Sequence, residues 1–125
     1  MRRTVTLEVG SFGREAVEDE ARRLALSPEQ LVSRAVRYYL ADRAAGRVAH
    51  RVPSQLRSGA REGADNIALD VDLDLQTWRD LGAECRREDV SMDILVSHAV
   101  LYLIADIDSG RVARRFVSED GSGGN

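Results

Sequence analysis

The second half of the chain repeats the first. Shifting the sequence by 64 positions aligns SPEQLVSRAVRYYLADRAAGRVAHRV (27–52) with SMDILVSHAVLYLIADIDSGRVARRF (91–116) without a gap, and 14 of these 26 positions are identical. The same shift places TVTLEV (4–9) on ALDVDL (68–73). This tandem duplication constrains the fold more than any other feature, because each copy has to be one structural unit that packs against the other.

Each copy begins with a segment in which apolar and polar residues alternate. TVTLEV in the first copy and IALDVDL (67–73) in the second have a period of two, which is typical of a β-strand with one buried and one outward face. In the second copy the outward face carries carboxylates, at Asp70 and Asp72. The next acidic residue, Asp74, precedes a helical segment, and we predict that it caps that helix.

Two segments of helical composition follow each strand. The first is GREAVEDEARRLAL (13–26) in one copy and LQTWRDLGAECRRED (75–89) in the other. A serine then begins a second helix in both copies, at Ser27 and Ser91. Ser27 is followed by a proline and, three residues on, by a glutamine, which is the pattern of a capping box. The predicted order is therefore strand, helix, serine cap, helix, in each copy.

One such unit has a strand without a partner and too small a core to fold alone. We therefore predict a mainly α fold with a two-stranded antiparallel β-ribbon, in which the two copies form an intramolecular pseudo-dimer. The segment between the copies, PSQLRSGAREGAD, has the composition of a linker. The predicted divisions are repeat 1 with an Arg-rich extension (1–52), the linker (53–65), repeat 2 with an Arg-rich extension (66–117) and a flexible tail (118–125).

Composition excludes several classes of protein. The longest apolar run is too short to span a bilayer and no signal-peptide core begins the chain, so we expect a cytoplasmic protein without a membrane partner. A single cysteine, Cys85, and two distant histidines give no metal-ligand spacing. No catalytic set of side chains or glycine-rich phosphate loop is present, so we expect neither enzyme activity nor a cofactor.

The two copies resemble the ribbon-helix-helix family, the Arc/MetJ-type repressors. In that family the second helix often reads as a serine, three residues, an apolar pair, then alanine, an apolar residue and a terminal tyrosine-leucine. SPEQLVSRAVRYYL (27–40) is similar to this pattern, and SMDILVSHAVLYLI (91–104) is similar except at its last two residues. The resemblance covers about 80 residues in two copies, and it implies a DNA-binding transcriptional regulator.

Several site residues follow from this resemblance. Family members insert the ribbon into the DNA major groove and hold phosphates at the N-termini of their second helices. The implied phosphate clamps are Ser27 and Ser91, with the backbone amides at 27–29 and 91–93. The implied DNA-facing ribbon positions are Thr4, Thr6, Glu8, Ala68, Asp70 and Asp72.

The carboxylates of this ribbon leave a second function open. Family ribbons usually present basic, amide or threonine side chains, which suit purine edges and the surrounding phosphates. An aspartate can still accept a hydrogen bond from cytosine N4, and we expect Arg2 and Arg3 to lie near Asp72 or Asp74. The alternatives are a solvated strand face and an acidic surface that binds a protein partner.

The closest internal match follows the second helix, where both copies read Gly-Arg-Val-Ala. We expect Gly46 and Gly110 to end the helices in the left-handed conformation. The arginines beyond them either pair with Asp42 and Asp106 or capture an anion, since guanidinium groups grip phosphate and a nearby tyrosine ring can stack on a base. Their spacing also resembles part of the cyclic-dinucleotide signature of PilZ domains, so a nucleotide effector is an alternative ligand. The candidate anion-binding residues are Arg47, Arg51, Arg111, Arg115, Tyr38 and Tyr102.

The net charge of −3 combines two halves of opposite sign. Residues 1–61 contain 12 arginines and 7 acidic residues, whereas residues 65–125 contain 6 arginines and 13 acidic residues. We therefore expect the first repeat and the arginine extensions to supply most of the attraction for phosphate. The pseudo-dimer can associate further or exchange its halves with another copy.

Overall fold

A computed structural model describes residues 1–46 and 66–109 of the chain. Over these residues the protein is mainly helical, with one two-stranded antiparallel sheet, as the sequence predicts. The predicted linker and tail lie outside the described residues, and the domain boundaries stay predictions. The elements are β1 (Arg2–Leu7), α1 (Gly10–Arg23), α2 (Pro28–Ala44), β2 (Ile67–Asp72), α3 (Leu75–Glu88) and α4 (Met92–Ser109).

The two strands pair with each other, although 59 residues of chain separate them. Arg2 lies opposite Asp72, Thr4 opposite Asp70 and Thr6 opposite Ala68 on one face of the ribbon. The other face is the core face, where Val5, Leu7, Leu69 and Val71 are buried. The alternation seen in the sequence thus fixes which side chains are buried and which point away from the helices.

The helices pack beneath the ribbon and across the two halves of the chain. α2 packs against α4, while β1 packs on α4 and β2 packs on α2. Each strand therefore rests on a helix from the other copy, which explains why one copy alone has an incomplete core. The fully buried apolar side chains include Leu31, Val36, Tyr39, Leu73, Leu81, Leu95 and Leu103.

The predicted caps at Ser27, Asp74 and Gly46 are present, whereas Gly110 lies outside the described residues. The Ser27 side chain accepts from the Gln30 N–H at 3.1 Å and the Gln30 side chain accepts from the Ser27 N–H at 2.9 Å, which completes the capping box. The Asp74 carboxylate accepts from the Thr77 N–H at 3.1 Å and from its hydroxyl at 2.6 Å. Gly46 has a φ of 74°, the left-handed conformation expected of a residue that follows a helix.

The first helix differs from its predicted extent. The composition placed helical residues at 13–26, but α1 begins at Gly10 and ends at Arg23. Ala25 adopts a left-handed φ of 58°, and the Leu26 N–H donates to the Ala21 carbonyl at 2.8 Å. This turn ends the helix before Leu24, which is 37% exposed and not part of the core.

No single helix among the described residues is long and apolar enough to cross a membrane. α3 and α4 meet that criterion only when they are taken together, and the chain bends by 100° between them.

Candidate nucleic-acid interface

The outer face of the ribbon is the surface that the family resemblance assigns to DNA. We define it as the outward side chains of the two strands, and it carries small polar groups alongside charges of both signs. Its members are exposed except for Thr6, which is half-buried. These residues are Arg2, Thr4, Thr6, Ala68, Asp70 and Asp72.

Both aspartates of the outer face have hydrogen-bond donors. The Thr4 hydroxyl donates to Asp70 at 2.7 Å, across the two strands. The α-amino group of Met1 donates to Asp72 at 3.0 Å and to the Leu73 carbonyl at 2.8 Å. The hydrogen bond and charge of that ammonium group, helped by Arg2 and Arg37, hold the pKa of Asp72 below its usual range. Asp72 is therefore a carboxylate at neutral pH, and its charge is partly balanced.

Arg3 lies apart from this face, contrary to the expectation that it would neutralise an aspartate. Its guanidinium sits 5.3 Å from the centre of the Trp78 ring, within the range of a cation–π contact. Residue 3 is in register with Val71 and so belongs to the core side of the ribbon. Arg2 is the strand arginine that lies beside Asp72.

One end of the ribbon is tied to α4. The Thr6 N–H donates to the Asp93 carboxylate at 3.1 Å, and the Glu8 N–H donates to the Ser97 hydroxyl at 2.8 Å. Partial burial, and then the nearby negative charge of Asp93, raise the pKa of Glu8. The family resemblance implies a phosphate-binding role for the backbone amide of Asp93, but the sequence did not predict that its carboxylate, or Ser97, contacts the ribbon. Ser97 could have been found from the repeat, because a serine stands at the equivalent position, Ser33, in the first copy. The Ser33 hydroxyl donates to the Asp72 carbonyl at 3.4 Å.

Serine side chains cap the N-termini of α2 and α4 beside the ribbon. The Ser91 hydroxyl accepts from the Ile94 N–H at 3.2 Å, as the Ser27 hydroxyl does from Gln30. Proline 28 has no N–H and the Ser27 N–H donates to Gln30, so of the three amides predicted to clamp phosphate at α2 only that of Glu29 can be offered to a ligand. The first turns also carry acidic side chains, Glu29 and Asp93. Backbone donors and carboxylates therefore lie together at both helix starts.

The tyrosines assigned to anion binding lie together between α2 and α4. Their ring centres are 5.9 Å apart, and Tyr38 is only 7% exposed. The Tyr38 hydroxyl donates to Asp106 and the Tyr102 hydroxyl to Asp42, both at 2.6 Å. These four residues form a reciprocal contact across the two copies. The arginines assigned with them, Arg47, Arg51, Arg111 and Arg115, lie outside the described residues, so their anion-binding role stays a prediction.

A fully buried tyrosine, Tyr39, packs beside this contact. Its ring meets His98 at 5.3 Å and Tyr102 at 5.7 Å, edge to face in both cases. Among the described residues its hydroxyl has no hydrogen-bond partner, and burial raises the pKa of Tyr39 to about 12. The aromatic cluster thus fills the space between α2 and α4.

The part of the chain that the structure describes contains no group of three or more His, Cys, Asp and Glu side chains placed to hold a metal ion. No protein-family model, curated protein or solved structure matches this chain.

Proposed function

We propose that the chain is a single-chain ribbon-helix-helix protein, in which residues 1–52 and 66–117 are two repeats that form an intramolecular pseudo-dimer. The antiparallel pairing of β1 with β2 supports this, as does the packing of each strand on the helix of the other repeat. The reciprocal Tyr38–Asp106 and Tyr102–Asp42 hydrogen bonds support it further, because they relate the two repeats to each other in the same way in both directions.

The function we propose is DNA binding in transcriptional regulation, with the outer face of the ribbon in the major groove. The observation that carries the proposal is an exposed two-stranded ribbon whose outward side chains, except that of Arg2, are short and whose inward aliphatic side chains are buried in the core. The major groove is wide enough for a two-stranded ribbon, and short side chains allow its backbone to approach the base edges. Thr6 can donate and accept hydrogen bonds there, and the Thr4 hydroxyl, which donates to Asp70, can still accept one.

The charged side chains of the ribbon determine which base edges it can hydrogen-bond. Arg2 can donate to guanine or to phosphate, whereas Asp70 can accept from cytosine N4. The Thr4–Asp70 and ammonium–Asp72 contacts hold both carboxylates against the ribbon and offset part of their repulsion from phosphate. The arginine extensions, Arg47, Arg51, Arg111 and Arg115, would add attraction for phosphate.

A pull-down of genomic fragments followed by sequencing tests this proposal. We expect a small set of enriched sites, and binding to them should weaken as salt rises. Substituting Arg2→Ala should weaken binding to an enriched site, whereas Arg79→Ala removes an exposed arginine from α3 and should change it much less. No enrichment over input at low salt, with the protein folded, would contradict DNA binding.

The acidic part of the outer face favours a second candidate function, in which the same scaffold binds a protein partner. Asp70 and Asp72 are exposed on the same face of β2, and Glu8 lies just beyond the end of β1. A basic peptide would gain from these charges, whereas DNA would be repelled by them. Binding of an arginine-rich peptide that is lost in Asp70→Asn/Asp72→Asn, together with no DNA enrichment, would favour this candidate. A small anionic ligand, such as a nucleotide, would instead require the arginine extensions.

A further inference from the structure

A buried ionic cluster joins the two halves where α2 packs against α3. Arg43 of α2 donates through Nε to Glu84 at 3.1 Å, and its Nη2 lies 3.6 Å from Glu88, both on α3. The three side chains are 13%, 17% and 5% exposed. Arg87 also donates to Glu84, from the surface of the same helix. A cluster this deeply buried is sensitive to the loss of a member, because a remaining charge would lose its counter-ion.

The equivalent positions on the other side have different residues. The 64-residue shift places Ile107 where Arg43 stands and Leu24 where Glu88 stands, while Glu20 takes the place of Glu84. α1 packs against α4 there, and Glu20 is held by two 2.7 Å hydrogen bonds from Arg23 of its own helix. One seam between the halves therefore has an Arg–Glu cluster that joins two helices, whereas at the other Ile107 replaces the arginine, Glu20 pairs within its own helix and Asp108 is the charge of α4 that acts on Arg23.

This difference matters for which halves can pair. If the second half paired with the second half of another copy, Ile107 would take the place of Arg43 at both seams. Glu84 and Glu88 would then lose the guanidinium that they share. The first half paired with itself would bring Arg43 to Glu20, the equivalent of Glu84, and to Leu24, which carries no charge where Glu88 does.

Two further contacts between the halves also form only when a first half pairs with a second half. Thr4 donates to Asp70 across the ribbon, but a pair of second halves would place Ala68 there, which has no hydroxyl. The Tyr39 ring meets His98 edge to face, and the shift relates these residues to Leu103 and Arg34. By contrast, the Tyr–Asp contacts would form in every pairing, because both halves keep the tyrosine and the aspartate.

We propose that the second half of this chain is shaped to pair with a first half and not with a second copy of itself, and that Arg43, Glu84 and Glu88 decide this choice. The inference rests on the proposed pseudo-dimer and does not depend on whether the ribbon binds DNA. Its consequence is that the chain closes on itself, or exchanges halves with another copy, only in first-to-second pairs. The partner that the Glu84–Glu88 surface fits is a helix end that presents an arginine.

Substitutions taken from the opposite seam test the cluster in the intact chain. Arg43→Ile should lower the equilibrium constant for folding by roughly a hundredfold, since two buried carboxylates lose the guanidinium that they share and only the contact of Glu84 with Arg87 at the surface is kept. Adding Glu88→Leu should recover a large part of that loss, because it removes the buried carboxylate that has lost Arg43. Arg79→Ile is the matched surface control. Folding constants for Arg43→Ile and wild type within about threefold of each other would overturn the inference.

The pairing itself is tested by cutting the full chain after it has folded. A specific protease site is inserted between residues 59 and 60, the folded protein is cleaved, and the mixture is unfolded, refolded and weighed by native mass spectrometry. We expect complexes of one first half with one second half, and pairs of second halves only in the Arg43→Ile/Glu88→Leu variant. Pairs of second halves in the wild type would overturn this inference alone. Halves that refold without any association would overturn the pseudo-dimer as well.

Discussion

The Tyr38 hydroxyl donates a 2.6 Å hydrogen bond to Asp106, and the Tyr102 hydroxyl makes the same bond to Asp42. Both aspartates are almost completely buried, with exposures of 5% and 0%. Each bond joins α2 to α4, so the two bonds connect the halves of the chain in both directions. A buried carboxylate requires such donors, since burying a charge without a partner is strongly unfavourable.

Removing either hydroxyl should destabilise the protein. Tyr38→Phe leaves the ring in place but deprives Asp106 of a donor, and we expect a loss of about 1 to 3 kcal/mol in the free energy of unfolding, measured with urea. Tyr102→Phe should have a similar effect through Asp42. Tyr39→Phe is the matched control, because the Tyr39 hydroxyl has no hydrogen-bond partner among the described residues, and its removal should be neutral or slightly stabilising. An equal loss in all three variants would contradict the role assigned to the Tyr–Asp contacts.

Unfolding should not depend on protein concentration. When the partner strand is tethered in the same chain, association is intramolecular, so the thermal midpoint stays constant over a hundredfold dilution, whereas the midpoint of an obligate dimer falls with dilution. Calorimetry or circular dichroism across that range makes the measurement. A midpoint that falls steeply on dilution would show that the halves pair between chains.

A chain shortened to end at Leu56 provides the complementary case. It keeps β1, α1 and α2 but lacks the strand that pairs with β1 and the helix on which β1 packs. We expect it to be unfolded as a monomer, or to dimerise, when it is followed by circular dichroism and analytical ultracentrifugation. A stable folded monomer would contradict the proposed architecture.

Replacing the outer-face aspartates should change DNA affinity in opposite directions under the two possible roles of the ribbon. If the ribbon faces DNA, Asp70→Asn/Asp72→Asn removes two negative charges near phosphate and should strengthen nonspecific binding, most visibly at low salt. If the aspartates read cytosine, specific binding should instead fall by about 1 to 3 kcal/mol per lost contact. Glu15→Gln/Asp80→Asn makes the same charge change on α1 and α3 and serves as the control in fluorescence anisotropy titrations. Affinities that stay within about twofold of wild type at low salt would place the ribbon away from DNA.

Glu8 should give a pH-dependent gain in stability when its charge is removed. The pKa of Glu8 is raised in the folded protein by burial and by Asp93, so folding disfavours its ionised form. A raised carboxyl pKa lowers stability at pH values above it, and that penalty disappears as the pH falls below the ordinary glutamate pKa of about 4.3. Glu8→Gln should therefore raise the melting temperature at pH 7 and have little effect near pH 4. Glu15→Gln, at an exposed position of α1, should show no such difference, and a gain of equal size at both pH values would contradict this assignment.

The sequence located most of the regular structure because the signals involved are local. Ser27 and Gln30 are three residues apart, and Asp74 caps the helix that follows it directly, so each cap can be recognised within one turn. The alternation of Val5 and Leu7 with Thr4 and Thr6 likewise identifies the buried face of β1 without knowledge of what covers it. The end of α1 was placed too late because a left-handed Ala25 has no residue-type signal of the kind that glycine gives at Gly46.

The repeat also allowed the sequence to determine that β1 needs a partner, and that a second strand of the same kind exists in the chain. What only the tertiary structure decided is which side chains meet between the two halves. Asp93 accepts from the Thr6 N–H across 87 residues, and Arg43 reaches Glu84 across 41. These contacts depend on the positions of α2, α3 and α4 relative to the ribbon, and such positions follow from packing of the whole core. A local pattern carries no information about that packing, which is why the sequence shows that Arg43 and Glu88 are replaced in the other copy but not that Arg43, Glu84 and Glu88 meet.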